Sequence, residues 1–147
     1  MKRKINLAII LVLAVVFAMS GLVACKNDGE TKAVTLEKVT ETLIVMKVTE
    51  AEENASALSA LAKLKEDGQI DFKSIDSGYG AYITSINGKE QTATASWMFY
   101  TSDEEFSNAE WGTIEYDGMT FASSALGASS LIVKVGEYYI WSFESWA

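Results

Sequence analysis

From residue 70 to its end the chain is written in short runs of β-branched and aromatic residues separated by turn formers. Such runs must pair with one another to satisfy their backbone, so this rhythm restricts the fold more than any other feature. The expected strands are residues 34–40, 43–49, 70–75, 81–86, 95–101, 113–116, 119–122, 131–135 and 138–143. In the first of them Val34 and Leu36 alternate with Thr35 and Glu37, the period of a half-buried strand. Glu41-Thr42 fits a tight turn, and Val135-Gly136-Glu137 turns the last pair. Asn87-Gly88 and Asp117-Gly118 are the dipeptides that supply the positive φ angles of type I′ hairpins.

Only residues 54–67 have a helical period. Ala57, Leu58, Ala60, Leu61 and Leu64 gather on one face while Ser59, Lys63 and Glu66 point away. Asn54 is the expected N-cap, and Gly68 is placed to end the helix in the left-handed conformation. Two strands, one helix and then an antiparallel set predict an α+β fold in which the helix covers one face of a mixed sheet.

Ahead of this domain, Lys2, Arg3 and Lys4 precede an apolar run from Leu7 to Met19, and Leu22-Val23-Ala24 leads into Cys25. A basic segment, an apolar segment and small residues before a break form a secretory signal, and the break before Cys25 resembles the bacterial lipoprotein lipobox. Residues 1–24 are thus expected to be cleaved, with Cys25 acylated as the first residue of the mature protein. A two-chain lipid anchors stably where one chain does not. Residues 25–33 are the lipidated cysteine and a short polar tether, and residues 34–147 are the domain. The expected location is the extracytoplasmic face of a bacterial cell membrane. An uncleaved anchor or a buried helix would have to place the sole cysteine right after Leu-Val-Ala by coincidence.

All 20 Asp and Glu lie after Cys25, whereas three of the 12 Lys and Arg precede it. The exported part is therefore more acidic than the whole chain's net charge of −8, which disfavours nucleic acid and anionic lipid surfaces as partners. The chain has no histidine and no proline. Zinc sites built on His and Cys are thereby excluded, as are Ser-His and Cys-His nucleophile pairs. Ser77, in Asp76-Ser77-Gly78-Tyr79-Gly80, lacks both a histidine and the strand-to-helix elbow of a nucleophile, and no carboxylate pair stands out for glycoside hydrolysis. No enzymatic activity and no cofactor are expected.

Tyr79, Tyr82, Trp97, Tyr100 and Trp111 are the candidate ligand-binding residues, because rings of this kind stack on planar ligands and dominate binding hot spots. Core packing competes with this reading at each position. Along residues 96–100, Trp97 and Phe99 share one face and Met98 and Tyr100 the other, so one pair is expected inside and the other is free to be exposed. A second candidate is the acidic segment with Asp103, Glu104, Glu105, Asn108 and Glu110, whose hard oxygens suit calcium. Its spacing does not match an EF-hand, and a solvated acidic loop is the simpler reading.

The segment Gly78-Tyr79-Gly80-Ala81-Tyr82-Ile83-Thr84-Ser85-Ile86-Asn87-Gly88, followed by Ser96-Trp97-Met98-Phe99-Tyr100 and the closing Val133-Lys134-Val135-Gly136 and Tyr139-Ile140-Trp141, resembles a family of bacterial exported domains related to the C-terminal β-domain of transcobalamin and intrinsic factor. The resemblance covers most of residues 43–143. It implies a β-grasp-like fold and a small-ligand binding role such as cobalamin or other corrinoid capture. The chain departs from the pattern in its longer acidic excursion over residues 101–111, and it supplies no separate helical domain to close over a ligand. The leading expectation is a lipid-anchored extracytoplasmic domain that binds a small molecule. The alternatives are a surface adhesion or protein-interaction module with a protein partner, and a carboxylate-based hydrolase.

Overall fold

Nine strands and one helix account for the computed structural model, which describes residues 29–146. The expected signal segment and Cys25 lie outside the described residues. In chain order the elements are β1 (Thr31–Val39), β2 (Leu43–Ala51), α1 (Ala57–Glu66), β3 (Phe72–Asp76), β4 (Ala81–Ile86), β5 (Lys89–Glu90), β6 (Ala95–Thr101), β7 (Ser107–Tyr116), β8 (Met119–Ser124) and β9 (Tyr138–Ser145). A 3-10 turn, Glu104–Phe106, precedes β7.

The strands form two sheets, one of six strands in the order β1-β2-β9-β6-β8-β7 and one of three in the order β3-β4-β5. All their pairings are antiparallel. The α+β class is therefore as expected, but the sheet is not mixed. Among the described residues the only parallel contact is an isolated bridge between Gly29 and Ala55. β1 begins at Thr31, so residues 31–33 of the expected tether belong to the sheet; buried Thr31 meets the Ser59 hydroxyl on α1 at 2.5 Å.

The first face of the large sheet carries the main core. Ile44, Met46, Val48, Trp97, Tyr139 and Trp141 pack there against Ala57, Ala60, Leu61 and Leu64 of α1 and Ile83 and Ile86 of the small sheet. A ten-residue helix is marginal on its own. Burial of Leu61 and Leu64, each fully covered, at about 1.5 to 3 kcal/mol apiece, holds it in place. Its N-cap is Ser56, whose hydroxyl accepts from the Ser59 amide at 3.2 Å. Asn54 is two residues too early to cap, and it takes a left-handed φ of 67° in the approach to the helix. Gly68 does leave the helix with φ 73°.

The second face is covered by the β7–β8 hairpin. β8 pairs with β6 only at Tyr100↔Ser123 and Thr101↔Ala122, and the hairpin then swings across the face. Phe121 comes to rest 5.7 Å from Tyr138, and the Lys38 ammonium of β1, at the far edge of the sheet, lies 5.9 Å from the Tyr116 ring of β7. Val45, Tyr100, Phe121 and Ile140 are buried beneath it. Both Trp97 and Tyr100 are therefore inside, at 2% and 4% exposure. The expectation that one face of β6 could lie open gives way to a strand buried on both sides.

Two further expectations change. Residues 131–135 are not a strand, although Leu131 and Val133 are buried and Ile132 and Lys134 exposed. Their backbone pairs with the entry to α1, with the Ala57 amide donating to the Leu131 carbonyl and the Val133 amide to the Ala55 carbonyl. Their alternation is that of an extended segment without a strand partner. The acidic excursion is regular structure in place of the expected loop, a 3-10 turn capped by the Asp103 carboxylate and then the first half of β7, while Glu104, Glu105 and Glu110 are exposed as a solvated segment would have them.

Candidate functional site

β8 leaves β6 after two residue pairs, so the rest of β6 has no neighbour in the large sheet on that side, and a cleft of about 140 Å³ opens between β6 and β4. Tyr82 and Ile83 form one wall and Trp97, Met98 and Phe99 the other, with Trp141 and the Ser123-Ser124 end of β8 closing it. The aromatic wall is packed ring against ring. Phe99 stacks on Trp141 at 4.2 Å with 5° between the ring planes, and Trp97 meets Phe143 edge-on at 5.3 Å. The Trp97 indole N–H donates to the Lys89 carbonyl at 2.9 Å, which satisfies its polar edge and pins β5 to β6.

The end of the cleft is set by a close backbone approach. The Gly127 amide donates to the Tyr79 carbonyl at 3.1 Å and the Ala128 amide to the Ala81 carbonyl at 3.0 Å. A Cβ on Gly127 would fall 2.7 Å from the Tyr79 carbonyl oxygen, so only glycine lets the two segments touch. This clasp fixes the β3–β4 turn and the start of β4, the strand that carries Tyr82.

Of the five aromatic candidates, the structure brings together Tyr82 and Trp97. Tyr79 is 86% exposed on the β3–β4 turn and contributes its carbonyl to the clasp. Tyr100 lies on the opposite face of β6, where its hydroxyl donates to Glu144 Oε1 at 2.8 Å. Burial, with that carboxylate beside it, raises the Tyr100 phenol above its ordinary value. Trp111 is 62% exposed on a bulge of β7 away from the cleft.

The calcium candidates do not converge. Among the described residues no three carboxylate or thiol groups are grouped to hold a metal. Asp103 and Glu105 instead take the Lys134 ammonium at 3.0 and 2.6 Å, and the Glu105 carboxylate followed by that of Asp103 raises the Lys134 amine. Asp103 is 4% exposed, and its Oδ2 has no well-directed hydrogen bond. That oxygen is nevertheless 3.0 Å from the ammonium, so it is charge-compensated, not orphaned. Glu104 and Glu110 are exposed, and the Asn108 side chain accepts from the Glu110 amide at 2.9 Å. Next to this cluster Tyr139 accepts from the Lys134 amide at 2.8 Å, and burial pushes its phenol up to about 12.

Comparison with family models, with curated proteins and with solved structures gives no match. Among the described residues no helix is long and apolar enough to cross a membrane.

Sequence reasoning did not find Phe99, Trp141 or Gly127 as parts of the cleft. The run Trp97-Met98-Phe99 was a visible signal for an aromatic wall. The opening itself comes from β8 parting from β6, a long-range event with no local signature.

Proposed function

We propose that this chain is an exported, lipid-anchored domain that binds a small molecule in the cleft between β4 and β6. The observation that carries the reading is that Tyr82 and Trp97 line one opening whose β6 side is held by the Phe99–Trp141 stack and the Trp97–Phe143 contact, since a preformed aromatic cleft costs little to organise on binding. The anchor rests on the lipobox-like Leu22-Val23-Ala24-Cys25. The tether is short, because the fold is engaged from Gly29 onward, where Gly29 bridges Ala55.

We read the order strand, strand, helix, then antiparallel strands as β-grasp-like, in keeping with the resemblance to the transcobalamin C-terminal domain. That resemblance makes a corrinoid the first ligand to test. At about 140 Å³ the cleft is smaller than the ~300–1,000 Å³ of sites that enclose a drug-sized ligand. A corrinoid would lie across the mouth and insert one flat edge or substituent.

Thermal unfolding of the full chain in detergent, with and without cobalamin, cobinamide and a panel of small planar metabolites, tests the reading. A ligand present at 100 times its Kd raises the stability by about 2.7 kcal/mol, and Tyr82→Ala should abolish the upward shift. No shift with any compound would overturn the proposal.

A further inference from the structure

We propose that a second surface, the groove beside the bulge of β7, binds a neutral glycan. Asn108 pairs with Ser123, and the next pair is Thr113 with the adjacent Ala122, so residues 109–112 stand out from the sheet. Bulges of this kind re-aim side chains and concentrate beside binding sites. Gly112 makes the turn-back with φ 134°, a conformation other residues resist. Beside the bulge lies a groove of about 350 Å³, lined by the apolar Ala109 and Ala122 and by the polar Ser107, Thr113, Thr120 and Glu104.

Those four polar side chains have no intramolecular partner among the described residues, whereas neighbouring Thr101 and Ser102 are committed to the backbone and carboxylate around Tyr138 and Glu137. Three hydroxyls that both donate and accept, plus one carboxylate that only accepts, match the vicinal hydroxyls of a sugar. Trp111 stands on the bulge between groove residues Ala109 and Thr113 and is 62% exposed. It offers a flat apolar face for the C–H side of a pyranose ring, with its indole N–H left for a polar contact.

Charge selects the class of sugar. Glu104 rims the groove and Glu110 sits on the bulge, while the nearby ammonium of Lys134 is already held by Asp103 and Glu105. An anionic glycan or a phosphate would meet carboxylates in a groove that no described Lys or Arg lines. A neutral glycan meets none of that cost.

The test is calorimetric titration of the full chain, in a zwitterionic detergent without a sugar headgroup, with maltotetraose, cellotetraose and chitotetraose, and with an oligogalacturonate as the anionic control. At least one neutral tetraose should bind. Trp111→Ala should weaken it by about tenfold or more, and Thr113→Val severalfold. Trp146→Ala, at an exposed tryptophan beside Thr94 at the opposite end of β6 from the groove, should leave it unchanged. Because Trp111 and Thr113 are exposed, their variants should keep the wild-type melting temperature, which ties any loss to the surface. No binding by any of the three, equal binding by the oligogalacturonate, or unchanged affinity in Trp111→Ala would each overturn the proposal.

Discussion

Phe121→Ala separates a covered second sheet face from an open one. Phe121 is 1% exposed and its ring lies 5.7 Å from that of Tyr138 at 56° between planes. Truncation removes on the order of 150 Å² of buried apolar surface, worth about 4 kcal/mol at ~25 cal/mol per Å². The hairpin is tied to β6 by only two residue pairs and can settle partly into the space. The expected loss is thus near the lower end of the range for such truncations, about 3 kcal/mol. For a domain of this size each kcal/mol moves Tm by roughly 4 °C, so the melting point should fall by about 12 °C. With m near 2 kcal/mol/M the urea midpoint should fall by about 1.5 M at unchanged m. Tyr138→Phe, which keeps the ring, should cost far less. Circular dichroism melts and urea titrations measure both. A loss under about 1 kcal/mol, the range of an exposed position, would refute the burial of this face by the hairpin.

Alkaline titration should separate the tyrosines. Tyr100, Tyr116 and Tyr139 are raised above their ordinary value, in each case mainly by burial. A raised phenol pKa means the folded state holds the proton more tightly, so this stability is complete below pH ~10 and lost as pH rises through the folded pKa. For Tyr139 that window closes near 12. Ultraviolet difference titration should show these three of the six tyrosines ionising late; six identical titrations near pH ~10 would contradict the packing. Ser56→Ala should cost about 1 kcal/mol through loss of the N-cap, and chemical denaturation that finds no change would return the cap to Asn54. Cells fed a clickable palmitate analogue should label the wild-type chain and not Cys25→Ser; label retained by the variant would remove the proposed anchor.

Local rules made much of this fold readable. Asn87-Gly88 and Asp117-Gly118 take the positive φ angles that a two-residue hairpin needs, at 50° and 82° and at 50° and 74°, because the turn type is decided within the dipeptide itself. β4 and β6 have the boundaries their β-branched and aromatic runs predicted. The length of β7 was hidden because its first half, Ser107 to Glu110, carries small and acidic side chains that any solvated loop could carry. As an outer strand of the sheet it needs no apolar face there. Residues 131–135 misled in the opposite sense, since an extended segment hydrogen-bonded to a helix entry alternates in burial as a strand does.

The candidate site was legible only residue by residue. Tyr82 and Trp97 could be named from their rings, but that they share a cleft depends on where β8 leaves β6. The burial of Tyr100 depends on the β7–β8 hairpin, which starts beside β6, folding over the face of the sheet. The Lys134 ammonium that occupies Asp103 and Glu105 comes from 31 and 29 residues away. None of these pairings is encoded in a local period or dipeptide.

The proposed ligand site is tested most directly by fluorine NMR of the full chain labelled with 5-fluorotryptophan, titrated with cobinamide. The four tryptophans give four signals, and Trp97 is assigned by its loss in Trp97→Phe. The Trp97 signal should move saturably while that of Trp146 stays fixed. A titration that leaves Trp97 unmoved, or that moves only the exposed Trp111 and Trp146, would contradict the account.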